Sequence, residues 1–168
     1  MLVGGSMTIV LAFSMMFLLV AADQVIKMWA VTHLSQINTI PLIQDVLHLT
    51  YVENRGAAFG IMQGKTTILL IVTSIFLLAI LVAILIKKIQ QPFYIWMLSL
   101  IVAGGVGNLI DRAFRGFVVD YIDFRLIGFP VFNLADCCVV VGILAVVIYQ
   151  LLVEELLHRK SNESQPPQ

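Results

Sequence analysis

Apolar residues gather in four stretches, about 8–29, 66–86, 93–114 and 132–153, separated by polar connections. Each is long enough to cross a hydrocarbon core, which takes roughly 20 helical residues. The second carries no charge and ends at Lys87 and Lys88, before a Gln-Gln-Pro turn that makes the second and third helices antiparallel neighbours. Lys and Arg in short loops mark the cytoplasmic side. Lys87, Lys88, Arg159 and Lys160 all fall on one side, so both termini are expected there. The opposite, outer side receives two longer connections, 30–65 and 115–131, which hold most remaining polar residues. Function is expected in such loops. Within the first, Val46-Leu47-His48-Leu49-Thr50-Tyr51-Val52 is β-branched and aromatic and precedes the turn-forming Asn54-Arg55-Gly56. It reads as short strands on the membrane surface.

Composition agrees: 60% of the 168 residues are hydrophobic and 12% charged, with a mean hydropathy of +1.00. Lipid is therefore the expected solvent, with one membrane-embedded domain over 1–160 and a disordered cytoplasmic tail over 161–168. A net charge of +0 offers no field for nucleic acid. Met7 is a second possible start, and the Gly-Gly-Ser before it reads as linker. No Lys or Arg precedes the first stretch, and Val20-Ala21-Ala22 has the small residues of a secretory cleavage site, the competing reading of that segment.

Ionisable groups in a membrane span cost about 2.5–3.5 kcal/mol each on insertion scales and so require a partner or a task. Gly104, Gly107, Asn108 and Asp111 follow i, i+3, i+4, i+7 and share one helical face, with Arg112 beside it. An internal Asp111–Arg112 pair with helix-packing glycines is one reading of that face, and direct function the other. Asp23 and Lys27, at i and i+4, form a local ion pair. Asn133 and Asp136 open the fourth stretch on one face, and no Lys or Arg follows Asp136 before Arg159. Its counter-group must come from elsewhere, and Asp120 in Val118-Val119-Asp120-Tyr121-Ile122-Asp123 is the natural candidate. Two carboxylates within hydrogen-bond reach share a proton, one acting as base toward water while the other polarises a carbonyl. Aspartic peptidases work this way.

Other chemistries fit less well. The adjacent Cys137 and Cys138 have neither disulfide nor metal-ligand geometry, and the histidines lie in other segments. No Gly-x-Ser-x-Gly elbow is present, and no metal or cofactor is expected. A transporter would space its polar residues through the membrane, whereas these cluster toward one side. A non-catalytic assembly protein would use the same face to hold a partner helix and would tolerate Asp136→Asn. The Gly-x-Gly-Asp motif of the better-known intramembrane aspartic peptidases is absent.

The motifs resemble those of the lipoprotein signal peptidases, or signal peptidase II. They are Asp23-Gln24-Val25-Ile26-Lys27, Asn54-Arg55-Gly56-Ala57-Ala58-Phe59-Gly60, Gly104-Gly105-Val106-Gly107-Asn108-Leu109-Ile110-Asp111-Arg112, Val118 to Asp123, and Phe132-Asn133-Leu134-Ala135-Asp136. Five motifs in the right order touch every span except the second. Ile26 stands where threonine is usual and Cys137 where serine is usual. The resemblance implies a four-transmembrane-helix bundle, all-α apart from a small β-sheet cradle on the outer surface, in the bacterial cytoplasmic membrane. It makes Asp120 and Asp136 the catalytic dyad, with Asp23, Lys27, Asn54, Gly104, Asn108, Arg112, Asn133 and Ala135 supporting it or contacting substrate. It also implies the substrate, a prolipoprotein whose signal peptide is cut just before a diacylglyceryl-cysteine, and inhibition by globomycin.

Overall fold

A computed structural model describes residues 2–57 and 62–163, with side chains at 2–5, 154 and 156–163 left aside. Its order is α1 (Leu2–Ile37), β1 (Thr39–Ile43), β2 (Leu47–Asn54), α2 (Thr66–Leu85), α3 (Pro92–Phe114), β3 (Val118–Phe124), a 3-10 turn (Arg125–Ile127) and α4 (Leu134–Glu163). Among the described residues the four α-helices are long and apolar enough to cross a membrane. Many of their large apolar side chains point outward, such as Phe17 on α1, Ile75 on α2 and Leu151 on α4. Lipid-facing helices behave this way because burial among themselves offers no hydrophobic gain over hydrocarbon.

The central helix is α3, and three of its glycines serve three neighbours. A Cβ at Gly104 would lie 2.2 Å from the Ala135 carbonyl oxygen of α4, one at Gly105 2.7 Å from Leu77 of α2, and one at Gly107 2.6 Å from Asp23 Oδ2 of α1. Close backbone approach of this kind is what small residues permit in membrane bundles. Elsewhere along the α3–α4 contact, Gly142 of α4 is packed as tightly against Ile101 and the Met97 carbonyl of α3.

Helix α1 runs two turns past the stretch expected to be helical. Its last turns place the buried Ala30 and Leu34, at i and i+4, against Val119 and Tyr121 of β3, so this part packs on the sheet. It stops where Asn38 takes φ 62° and gives its N–H to the Leu34 carbonyl at 2.7 Å, a left-handed cap. The three antiparallel strands lie in the order β1-β2-β3. β2 falls on the segment expected to be strand, Val46 to Val52, and β1 lies ahead of it in the same connection. β3 is an addition to them, and its Val, Tyr and Ile residues are strand formers.

The helix takes in the expected Gly-Gly-Ser linker, since α1 begins at Leu2. Val20-Ala21-Ala22 lies within that same unbroken helix, directly before Asp23. Helix α4 continues to Glu163, so 161–163 are helical where a disordered tail was expected. The remainder of that tail, 164–168, and Ala58-Phe59-Gly60 of the surface-loop motif lie outside the described residues.

Candidate active site

The first N–H groups of a helix have no intrahelical acceptor, and at the first three residues of α4 the site supplies one for each. Leu134 N–H donates to Tyr121 Oη (3.2 Å), Ala135 N–H to Asp23 Oδ1 (3.1 Å) and Asp136 N–H to Asn133 Oδ1 (2.9 Å). Asp136 Oδ2 in return accepts the Asn133 N–H at 3.2 Å. This closes a capping box with aspartate in the third helical position, where an acid also meets the positive end of the helix dipole. A bridge between Ile122 and Phe132 ties the approach to α4 onto β3, so the strand carrying Asp120 and the helix carrying Asp136 start side by side.

Asp120 is 1% exposed. Val52 faces it across the sheet and Asn54 faces Val118, which puts Asn54 diagonally across from Asp120 on the same face. Asn54 Nδ2 donates to Asp120 Oδ2 at 3.0 Å, and Asn133 Nδ2 to Oδ1 at 2.6 Å. Burial, and then the neighbouring Asp136 charge, push the Asp120 carboxyl up to about 7, against the two asparagine bonds and the charge of Lys27. Asp136 is half-buried, so the pair opens on its side.

Asn108 completes the inner ring. Its Nδ2 donates to Asp136 Oδ1 at 2.8 Å, while its Oδ1 accepts from Lys27 Nζ at 2.8 Å and Asn133 Nδ2 at 3.2 Å. Behind it lies an ionic layer. Lys27 Nζ, fully buried, contacts Asp23 Oδ2 at 2.9 Å and Asp111 Oδ2 at 3.1 Å. Asp111 is also paired with Arg115 and accepts the Val119 N–H at 3.0 Å. Gln24 Nε2 donates to the Gly107 carbonyl at 3.0 Å and to Asp111 Oδ1 at 3.4 Å.

Each residue expected at the site is in or against this assembly. Asp23, Lys27, Asn54, Asn108, Asn133, Asp120 and Asp136 are linked by hydrogen bonds or ion pairs, Ala135 enters through its N–H, and Gly104 lets α3 and α4 meet. One expected pairing is corrected: Asp111 joins Lys27 and Arg115 rather than Arg112. Successive helical residues point about 100° apart, so Arg112 turns away from Asp111 and donates to the Gly56 carbonyl at 2.9 Å. Asp123, in the same motif as Asp120, is held instead by Thr50 (2.7 Å) and Arg125 (2.8 Å). Gln24, Arg115 and Tyr121 join the site without being expected there. Arg115 is recoverable from its i+4 spacing to Asp111, whereas Tyr121 needs the tertiary approach of α4.

A family model described as "Signal peptidase (SPase) II" matches residues 15–152. The lipoprotein signal peptidase of Clostridioides difficile (strain 630) is 47% identical over 139 residues, covering 82% of this chain and 92% of that protein. That of Caldanaerobacter subterraneus subsp. tengcongensis is 42% identical over 148 residues, covering 88% and 96%. A bacterial membrane enzyme solved by the in meso method at 2.3 Å resolution superposes with a TM-score of 0.75 at 32% identity, covering 94% of this chain and 93% of that one.

Proposed function

The chain belongs to the signal peptidase II family, and on that premise we propose that it is an aspartic endopeptidase with Asp120 and Asp136 as its dyad. Its substrate is a prolipoprotein already carrying diacylglycerol on the cysteine that follows the scissile bond. One observation supports this above the others: Asn133 donates to both carboxylates at once, through Nδ2 to Asp120 (2.6 Å) and through its backbone N–H to Asp136 (3.2 Å). A purely structural aspartate needs no second carboxylate beside it, because burying two together is unfavourable unless they share a proton.

Asp120, pushed up to about 7 by burial and by Asp136, carries that proton near neutral pH. Asp136, on the open side, takes a proton from water as the water oxygen bonds to the scissile carbonyl carbon. Asp120 gives its proton to the carbonyl oxygen, and a neutral diol results. As the C–N bond breaks, Asp136 passes its proton to the leaving nitrogen and a diol hydroxyl returns one to Asp120. No acyl-enzyme forms.

The signal helix must unwind around the scissile bond, leaving backbone groups in need of partners. Asn54, Asn108 and Asn133 already spend their amides on the aspartates and on one another. Arg112 is better placed for the substrate, since its bond to Gly56 uses one of five N–H donors. The lysines that follow α2 lie toward the other end of the bundle. With that end cytoplasmic, the site opens near the outer face of the bacterial cytoplasmic membrane and both termini are cytoplasmic. A globomycin-type cyclic peptide is expected to compete for the dyad.

The test is a gel-shift assay of purified protein on a diacylglyceryl-modified prolipoprotein, comparing wild type with correctly folded Asp120→Asn and Asp136→Asn. Cleavage by wild type and none by either variant supports the dyad. Full activity in the variants overturns it.

A further inference from the structure

The two aspartates of the proposed dyad are each preceded by a residue whose backbone N–H is held by another buried carboxylate. Val119, before Asp120, donates to Asp111 Oδ2 at 3.0 Å. Ala135, before Asp136, donates to Asp23 Oδ1 at 3.1 Å. These clamps come from different helices, and a single ammonium joins them: Lys27 Nζ lies 2.9 Å from Asp23 Oδ2 and 3.1 Å from Asp111 Oδ2. The three side chains are at most 2% exposed.

We propose that Asp111 and Asp23 are positioning residues for Asp120 and Asp136 respectively, and that Lys27 yokes them so that the spacing of the dyad is set by a buried ion triplet. This inference rests on the dyad reading. It gives Asp111 a role although it hydrogen-bonds to neither aspartate, and it gives Arg115 one as well. Two acids on one lysine leave a surplus negative charge, which Arg115, paired with Asp111 and one quarter exposed, neutralises. Gln24 adds a neutral donor to Asp111 and anchors on the Gly107 carbonyl.

The alternative is that the triplet merely holds the helices together. Removing a single partner does not separate the two, because it strands a buried charge and unfolds the protein. Charge-balanced double variants do separate them. Asp23→Asn with Lys27→Met leaves Asp111 with Arg115, and Asp111→Asn with Arg115→Gln leaves Asp23 with Lys27.

The experiment compares both doubles, wild type and Asp120→Asn in the same micelles, reading folded fraction, kcat per folded molecule, KM and the pH profile of kcat/KM. The expected result is a fall in kcat on the order of 100-fold in each double with KM less affected, the loss that a displacement of about 1 Å in reacting groups produces. The Asp23→Asn/Lys27→Met variant also moves the descending limb of the profile to higher pH, because Lys27 opposes the upward push of burial and Asp136 on Asp120. Doubles that lose activity only in proportion to folded fraction, with kcat and the pH limb of wild type, overturn the positioning role. If Asp120→Asn itself remains active, the dyad reading falls, and this inference with it.

Discussion

Asn133 and Asp136 cap each other at the start of α4: Asn133 Oδ1 accepts the Asp136 N–H at 2.9 Å, and Asp136 Oδ2 accepts the Asn133 N–H at 3.2 Å. A device that normally only starts a helix thereby fixes the rotamer of a proposed catalytic carboxylate. The Asn133 amide left over then reaches Asp120.

Asn133→Ala removes the cap and the donor to Asp120 together. Loss of the cap costs about 1 kcal/mol of stability, while kcat should fall on the order of 100-fold, as when one preorganised donor is lost. Asn133→Asp keeps the capping oxygen but sets a third, buried carboxyl beside Asp120 and loses the amide donor, so it should melt below wild type and be inactive. Melting in detergent micelles alongside cleavage rates checks both, and an active Asn133→Asp would sink the argument.

The pH response follows from Asp120. Its folded-state pKa is raised from 3.8 to about 7, by burial first and Asp136 second, so folding favours the protonated form. The stability it contributes is complete below 3.8 and is lost as pH rises through about 7. Wild type should therefore melt at progressively lower temperature across that interval, and Asp120→Asn should lack that slope. kcat/KM should decline above about 7 as Asp120 loses its proton. A rate that does not decline above neutrality would contradict its role as the acid.

At Gly104 a methyl group has nowhere to go, since its Cβ would sit 2.2 Å from the Ala135 carbonyl oxygen. Gly104→Ala must push α3 away from α4 at a cost of about 1–3 kcal/mol or more. The same shift stretches the 2.8 Å bond from Asn108 to Asp136. Both melting temperature and kcat should drop. Gly64 has φ +75° and open space where a Cβ would stand, with nothing within 4 Å. Changed to alanine, it should lose stability only through backbone strain and keep its kcat.

Arg112→Lys preserves charge but not the planar fork that spans from α3 to the Gly56 carbonyl at 2.9 Å. Its effect should appear chiefly in KM for the prolipoprotein, with the melting temperature close to that of wild type. An unchanged KM would remove Arg112 from the substrate's path.

Much of this protein is written in its residue order. Apolar runs of bilayer length demand helices, because only a helix satisfies every backbone group inside hydrocarbon without a neighbour. A charged side chain in such a run demands a partner, so Asp23, Lys27, Asp111 and Asp136 identify themselves as unusual before any partner is known. Local spacing also suffices for the Asp23–Lys27 pair and for bringing Asn133 and Asp136 together, which depend on residues three or four apart.

Partner choice is different. That Asp111 joins Lys27 and Arg115 rather than its neighbour Arg112 depends on where α1 lies against α3. The third strand and the last two turns of α1 depend on each other, since Val119 and Tyr121 need Ala30 and Leu34 to cover them. Sequence alone determined which residues are costly to place in lipid. The tertiary structure decided which of them meet, because hydrogen bonds act over about 3 Å and only packing brings segments some eighty residues apart within that reach, as with Lys27 and Asn108.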